Sequence, residues 1–249
     1  MLIYPKEFFK QNEETIKEAT CFVLMPFNEK YIDVYNRIRV TLNSNPLFIE
    51  CSRADDFHRP HIIETILKGI THSEFVIADL TESNANVYYE LGLTHSIKEI
   101  EKVIILTQEL HLVPFDITQF RCIEYKPTPD GMKKLKKELI STFNAISHNK
   151  FRLKLTENKL IIFSKKLTGI GHFLYEMKLE SSHVGHDGIK LKIYFIQLSA
   201  DGSQTELETQ YLYLPINQNK HKIDHIPWHV CLLRTQGKEA FISIEKQEP

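Results

Sequence analysis

Between residues 20 and 125 the apolar positions fall into short continuous runs, separated by stretches with a helical period. Residues 21–25, 47–51, 75–78, 102–107 and 121–125 read as strands. Unbroken apolar runs of this length suit strands covered on both faces. Between them Ile32, Tyr35, Ile38 and Leu42 repeat every three or four residues, as do Ile62, Ile63, Ile66, Leu67 and Ile70, which predicts helices over 31–42 and 61–72. A further helix is expected to open near residue 86. A last one is expected over 132–146, after a break at Asp130-Gly131, and a polar leading helix over 5–19 offers Phe8, Phe9 and Ile16 for docking. Strands alternating with helices predict a doubly wound parallel sheet of five strands, because each parallel crossover needs a covering helix.

After residues 147–150 the period falls to two. Residues 190–196, 209–214 and 240–244 have strand composition, and Asp187-Gly188, Asp201-Gly202 and Gln236-Gly237 supply turns between such runs. The expectation is an α/β domain over residues 1–148, a short hinge, and a smaller antiparallel β-sandwich-like domain over 149–249.

In a parallel sheet the residues after each strand gather on one edge, where open α/β sheets bind ligands. That edge collects Met25, Pro26 and Phe27, then Arg53, Asp55 and Asp56, then Asp79. The apolar stretch 112–117, with Phe115, is expected to wall a pocket. Asn84 and Asn86 both suit a helix N-cap. With Asn86 as the cap, Glu90 lies one turn inside the helix and its carboxylate leans back toward Asp79. Glu90 also shares a stripe with Val87, Leu91 and Thr94, which should face the sheet. A carboxylate there caps backbone N–H groups, snorkels to solvent, or serves chemistry, and the local pattern leaves all three open.

Composition narrows the field. The chain has 249 residues, 42% hydrophobic and 25% charged, with a formal net charge of −1. Lys and Arg number 17 against 21 Asp and Glu through residue 149, then 14 against 11, giving −4 and +3. Neither part carries the strongly basic balance of a nucleic-acid-binding domain, so no direct nucleic-acid partner is expected. The four cysteines form no CxxC pair, the first twenty residues hold acids and no signal-like apolar run, and no apolar run reaches membrane-spanning length. A reduced cytoplasmic protein with no membrane partner is expected. His221, His225 and His229 are evenly spaced, but Pro227 interrupts a helix there, and no metal site is expected. There is no GxGxxG after the first strand, no GxxxxGK[ST] and no nucleophile elbow, so dinucleotide oxidoreduction, NTP hydrolysis and serine acyl transfer lose their motifs. A single carboxylate among neutral hydrogen-bonding groups suits chemistry in which positive charge develops on a sugar.

With FVLMPF at 22–27, RADD at 53–56, VIADLT at 76–81, NANVYYELG at 84–92 and PFDI at 114–117, the chain resembles the bacterial TIR-like proteins related to nucleoside 2-deoxyribosyltransferases. The resemblance covers about residues 20–125, and residues 150–249 resemble no family we can name. It implies a flavodoxin-like fold and cleavage of an N-glycosidic bond: NAD hydrolysis or cyclisation in one branch, base exchange in the other. It implies that Glu90 is catalytic and that Asn84 and Asp79 occupy the polar position before it and the strand end. Ala85 stands where the common bacterial pattern has proline. Met25, Pro26, Phe27, Arg53, Asp55, Asp56, Asp79, Asn84, Asn86 and Phe115 are then the expected substrate contacts, with Arg53 on a phosphate.

Breaking a ribosyl C1′–N bond passes through an oxocarbenium-like state, which a carboxylate stabilises electrostatically or attacks. Nicotinamide leaves NAD as a neutral molecule and needs no acid, whereas a nucleobase leaves better when protonated. Asp79 is the one evident second acid, and position 84 is Asn, so the expectation favours NAD as substrate, with no other cofactor. The implied setting is an oligomeric antiviral effector that depletes NAD, its β domain sensing an activating ligand or protein or serving assembly. The alternatives are a nucleoside or nucleotide deoxyribosyltransferase or N-glycosidase using the same Glu90, and a non-catalytic module that binds a nucleotide signal or a protein. Glu90→Gln is expected to abolish turnover and to change stability by no more than about 1 kcal/mol.

Overall fold

The seven residues of Ser73–Asp79 are all buried, which only a strand roofed on both faces achieves. In the computed structural model this strand, β3, lies at the centre of a parallel sheet with β1 (Lys17–Leu24), β2 (Glu50–Arg53), β4 (Val103–Thr107) and β5 (Cys122–Glu124). The structure describes residues 5, 8, 9, 16–56, 62–147, 150–168, 174–198, 204–216, 220–223 and 228–246. The order β2-β1-β3-β4-β5, with every pair parallel, is that of a flavodoxin-like doubly wound sheet. The winding reverses between β1 and β3, so the carboxyl ends of those strands flank a crevice.

Alternate residues of each strand serve opposite layers. Cys21, Val23, Phe75 and Ile77 pack with α1 (Ile32–Asn43) and α5 (Pro129–Ile146) through Tyr35, Ile38, Leu42, Leu139 and Phe143. Phe22, Leu24, Val76 and Ala78 pack with α2 (Ile62–His72) and α3 (Ala85–His95) through Ile66, Ile70, Val87 and Leu91. A single turn, α4 (Phe115–Thr118), precedes β5.

Where α2 crosses β1, a Cβ on Gly69 would overlap the ring of buried Phe22. Gly69→Ala gains about 1 kcal/mol of helix propensity and loses about 1–3 kcal/mol to overpacking. We expect a net loss of about 1 kcal/mol, read as a lower urea midpoint at unchanged slope. A higher midpoint would show that the ring yields freely.

Several boundaries differ from the sequence pattern. β1 starts at Lys17, so no helix reaches Ala19; Pro5, Phe8 and Phe9 are helical, and the other residues before Ile16 lie outside the described set. Its first half is irregular, with Ala19 at φ 55 and its N–H donating to the buried Glu74 carboxylate at 2.6 Å. β2 starts at Glu50 and not at residue 47, because Phe48 takes φ 47 and holds Leu47 and Ile49 in the core from a turn. Asp130-Gly131 does not break the chain; it forms the first turn of α5, which Pro129 opens and the Thr128 hydroxyl caps by accepting from the Gly131 N–H at 3.2 Å.

The chain divides into two compact units, Met1–Ile146 and Ser147–Pro249. In the second, β6 (Lys150–Thr156), β7 (Leu160–Thr168), β8 (Leu174–Val184), β9 (Gly188–Leu198), β10 (Gln204–Pro215), β11 (His221–Ile223), β12 (Trp228–Gln236) and β13 (Glu239–Lys246) form two antiparallel sheets. Their orders are β10-β9-β8-β7 and β11-β12-β13-β6. Leu179, Ile189, Leu191, Ile193 and Leu214 from one sheet share a core with Leu155, Val230, Leu232, Ile242 and Ile244 from the other, which makes a sandwich. Gly237 supplies the positive φ, 59°, that the β12–β13 turn needs. Asp201-Gly202, His225 and Pro227 lie outside the described residues. Among the described residues no three His, Cys, Asp or Glu side chains converge as metal ligands, and no helix is long and apolar enough to cross a membrane.

Candidate active site

The carboxyl edge is organised by the turn that joins β3 to α3. Asn84 has extended backbone and its side-chain oxygen accepts from the N–H groups of Asn86 at 3.0 Å and Val87 at 3.3 Å. Asn84 is therefore the cap, which corrects the reading with Asn86 there. Asn86 is an exposed first-turn residue, and Glu90 moves into the second turn. Just before the cap, Glu82 and Ser83 both take left-handed backbone, at φ 62 and φ 52. Two such non-glycine residues in succession persist only where their surroundings over-determine them.

Those surroundings begin with Asp79. Its carboxylate is fully buried and accepts from the Thr81 N–H at 3.1 Å, the Thr81 hydroxyl at 2.5 Å and the Tyr125 hydroxyl at 2.6 Å. The Gln108 amide donates to the same Tyr125 oxygen at 3.0 Å, and the Gln108 N–H to Thr81 at 3.2 Å. Burial raises the Asp79 pKa, while these hydrogen bonds act in the opposite direction. Asp79 thus ties together the residues that follow β3, β4 and β5. It presents no surface to a ligand, which corrects its assignment as a substrate contact.

Glu90 is the reverse case. It is 7% exposed and shares its buried stripe with Val87, Leu91 and Thr94, yet its carboxylate makes no hydrogen bond or ion pair among the described residues. Burial is the sole cause that pushes its pKa up to about 7. Since Asn84 caps the helix, the capping role open to Glu90 on sequence falls away, and its 7% exposure leaves little surface for the solvent-seeking one. A largely buried carboxylate without a protein partner, at the edge where open α/β sheets bind ligands, is suited to a cation.

Arg53 ends β2. Its guanidinium lies 4.6 Å from the centre of the Tyr35 ring, with Nη2 3.2 Å from the Asp55 carboxylate, while Nε and Nη1 are buried without a protein partner. Asp56 accepts from the Arg53 N–H at 2.9 Å and from the Tyr35 hydroxyl. Asp55 and Asp56 are engaged within their own turn while both remain exposed, and Arg53 keeps two buried donors without a partner among the described residues. Met25 and Pro26 are buried at the end of β1, and Phe27 is 51% exposed. Phe115 stands 88% exposed and walls no cavity, contrary to expectation.

Several contributors were missed by the sequence pattern, among them Thr81 and Gln108 in the Asp79 network and Tyr35 beneath Arg53. Lys30, after β1, pairs with Glu82 in the β3–α3 turn, bridging the two loops of the crevice. Tyr31 is buried behind that pair; its hydroxyl faces Glu82 without reaching hydrogen-bond geometry, and burial first, then Glu82, raises its pKa. Tyr125 completes the Asp79 network. Only the placement of Lys30 and Tyr31 directly after the first strand offered a signal. No family model matches the sequence, and a search of curated proteins returns no match.

Proposed function

We propose that this protein cleaves the bond between nicotinamide and ribose in NAD, with Glu90 as the catalytic residue. The observation that carries this reading is the buried Glu90 carboxylate with no protein partner. NAD bears a positive charge on the nicotinamide ring, so bound substrate supplies the counter-charge that the protein withholds and draws Glu90 into its ionised form. As the C1′–N bond breaks, the electron pair leaves with neutral nicotinamide and the positive charge moves onto the ribose, where the carboxylate stabilises it. Water then adds at C1′ and releases a proton to solvent; attack from within the nucleotide would give a cyclic product. Arg53 is the cation at the end of β2; its Nε and Nη1 are buried as the side chain stands, so a phosphate would have to draw them out to be met by them. Asn84 and Asn86 stand at the N-terminus of α3, where backbone N–H groups favour anionic or hydroxyl ligands.

The wider reading is an oligomeric, cytoplasmic TIR-like effector that depletes NAD in antiviral defence, with the sandwich as its sensing or assembly module. Purified full-length protein incubated with NAD should release nicotinamide; the same assay with deoxynucleosides should release no base.

One observation favours a second reading. A carboxyl group with a pKa of about 7 also suits an acid that protonates a departing nucleobase, as a deoxyribosyltransferase or N-glycosidase requires. The pH profile of kcat/KM separates the two, since it reports the free enzyme. With Glu90 acting ionised, kcat/KM should rise about tenfold per pH unit below about pH 7 and level above it. A profile that instead falls above this pH assigns Glu90 as the acid. Release of neither nicotinamide nor base would leave a module that binds a nucleotide without turnover.

A further inference from the structure

The outer face of the sheet β10-β9-β8-β7 carries a pattern that the sandwich core does not use. Along β9, Ile189, Leu191 and Ile193 are buried, so the alternate residues Lys190, Lys192 and Tyr194 point outward. On β10 Tyr211 and Tyr213 point the same way and are 71% and 45% exposed. The register sets Lys192 opposite Tyr211 and Lys190 opposite Tyr213. The Lys192 ammonium lies 4.5 Å from the centre of the Tyr194 ring and 5.5 Å from that of Tyr211. Two carboxylates border the patch: Glu180, in register with Lys192, accepts from the Tyr194 hydroxyl at 2.6 Å, and Asp187 accepts from the Tyr213 hydroxyl at 2.8 Å.

Rings and ammonium groups thus alternate on adjacent strands. Tyr211 and Tyr213 are two residues apart, roughly 7 Å along the strand, twice the 3.4 Å rise of stacked nucleotides. Neighbouring bases can each cover a ring only when splayed out of their own stack, which a single strand permits and a duplex does not. The lysines beside each ring suit the phosphates between such bases. Lys190, Lys192, Tyr194, Thr209, Tyr211 and Tyr213 form a patch without aliphatic side chains, the exposed Leu160 lying beyond it opposite Glu180, and the cores of protein–protein interfaces are depleted in lysine. We infer that this face binds single-stranded nucleic acid, with bases stacked on Tyr211 and Tyr213 and phosphates met by Lys190 and Lys192. The balance of charge over the whole unit concealed this local arrangement, and the inference stands independently of Glu90.

The test titrates full-length protein against a fluorescein-labelled deoxythymidine strand of about 16 nucleotides, by anisotropy, at about 50 and about 200 mM salt. The strand should bind, and a duplex of equal length should bind about tenfold or more weakly. Replacing both Tyr211 and Tyr213 by Ala should weaken binding about tenfold or more at fixed salt, whereas replacing both by Phe should retain it. Lys190→Gln with Lys192→Gln should flatten the salt slope by roughly 0.7 per lost phosphate contact. Near-UV circular dichroism checks that each variant folds, and the Phe pair carries the comparison if the Ala pair does not. Failure of the strand to bind, equal binding of the duplex, or binding indifferent to the tyrosines would overturn the inference. So would a dimer, seen by light scattering, that the tyrosine changes dissociate, since the face would then belong to a second copy.

Discussion

Glu90→Gln is expected to abolish nicotinamide release and, at about pH 8, to make the folded protein more stable. In the unfolded chain this carboxyl ionises near its ordinary value of 4.5, whereas in the folded protein it holds its proton up to about pH 7. Between those values the folded state binds more protons than the unfolded state, so stability falls as pH rises through the window. Above it the full penalty applies, on the order of 3 kcal/mol. Glutamine carries no charge but still buries an amide, at about 1–3 kcal/mol, so the net gain is on the order of 1 kcal/mol. That gain should shrink or reverse below about pH 4.5, where the native carboxyl is neutral too. Thermal midpoints of the two proteins at both pH values measure it, at roughly 2–4 °C per kcal/mol. If the midpoint difference does not change with pH, Glu90 is not a desolvated carboxylate. The expectation from sequence was a change of no more than about 1 kcal/mol; the structure adds its sign and its dependence on pH.

Asp79→Ala should have the largest effect on folding. It leaves the Thr81 N–H, the Thr81 hydroxyl and the Tyr125 hydroxyl without their acceptor in a fully buried place. Each stranded donor costs about 1–3 kcal/mol. Allowing for relaxation toward Gln108, the loss should be about 4 kcal/mol, or a midpoint lower by roughly 10 °C. Tyr125→Phe breaks one link only and should cost about 1 kcal/mol. Because the network holds the turn that presents Asn84 and α3, Asp79→Ala should also lower kcat/KM in whatever fraction remains folded. An Asp79→Ala protein as stable as the native one would dissolve the network as an account of this edge.

The strands of the first unit were legible because a residue buried on both faces of a sheet leaves an unbroken apolar run, as Phe75 to Ala78 do. The same logic misplaced the start of β2: Leu47 and Ile49 are buried from a turn, and an apolar pattern reports burial, not ladder pairing. Asn84 and Asn86 were equivalent caps until the backbone at Asn84 decided between them. The stripe under Glu90 was visible, but its isolation was not, because that depends on what the rest of the fold fails to bring near. Asp79 and Tyr125 are 46 residues apart and Lys30 and Glu82 are 52 apart, separations at which no local pattern reports a partner. The tyrosine and lysine face was hidden for another reason, since register across β9 and β10 creates it.

The division after Ile146 has a consequence for descent. Among the described residues every strand pairing lies wholly on one side of it, and the last helix of the first unit ends at that residue. A recombination event at this seam cuts no ladder and interrupts no helix, so the α/β unit can acquire or exchange a downstream partner without first losing its own hydrogen bonds. A change of downstream partner at this seam would leave the carboxyl edge around Glu90 intact.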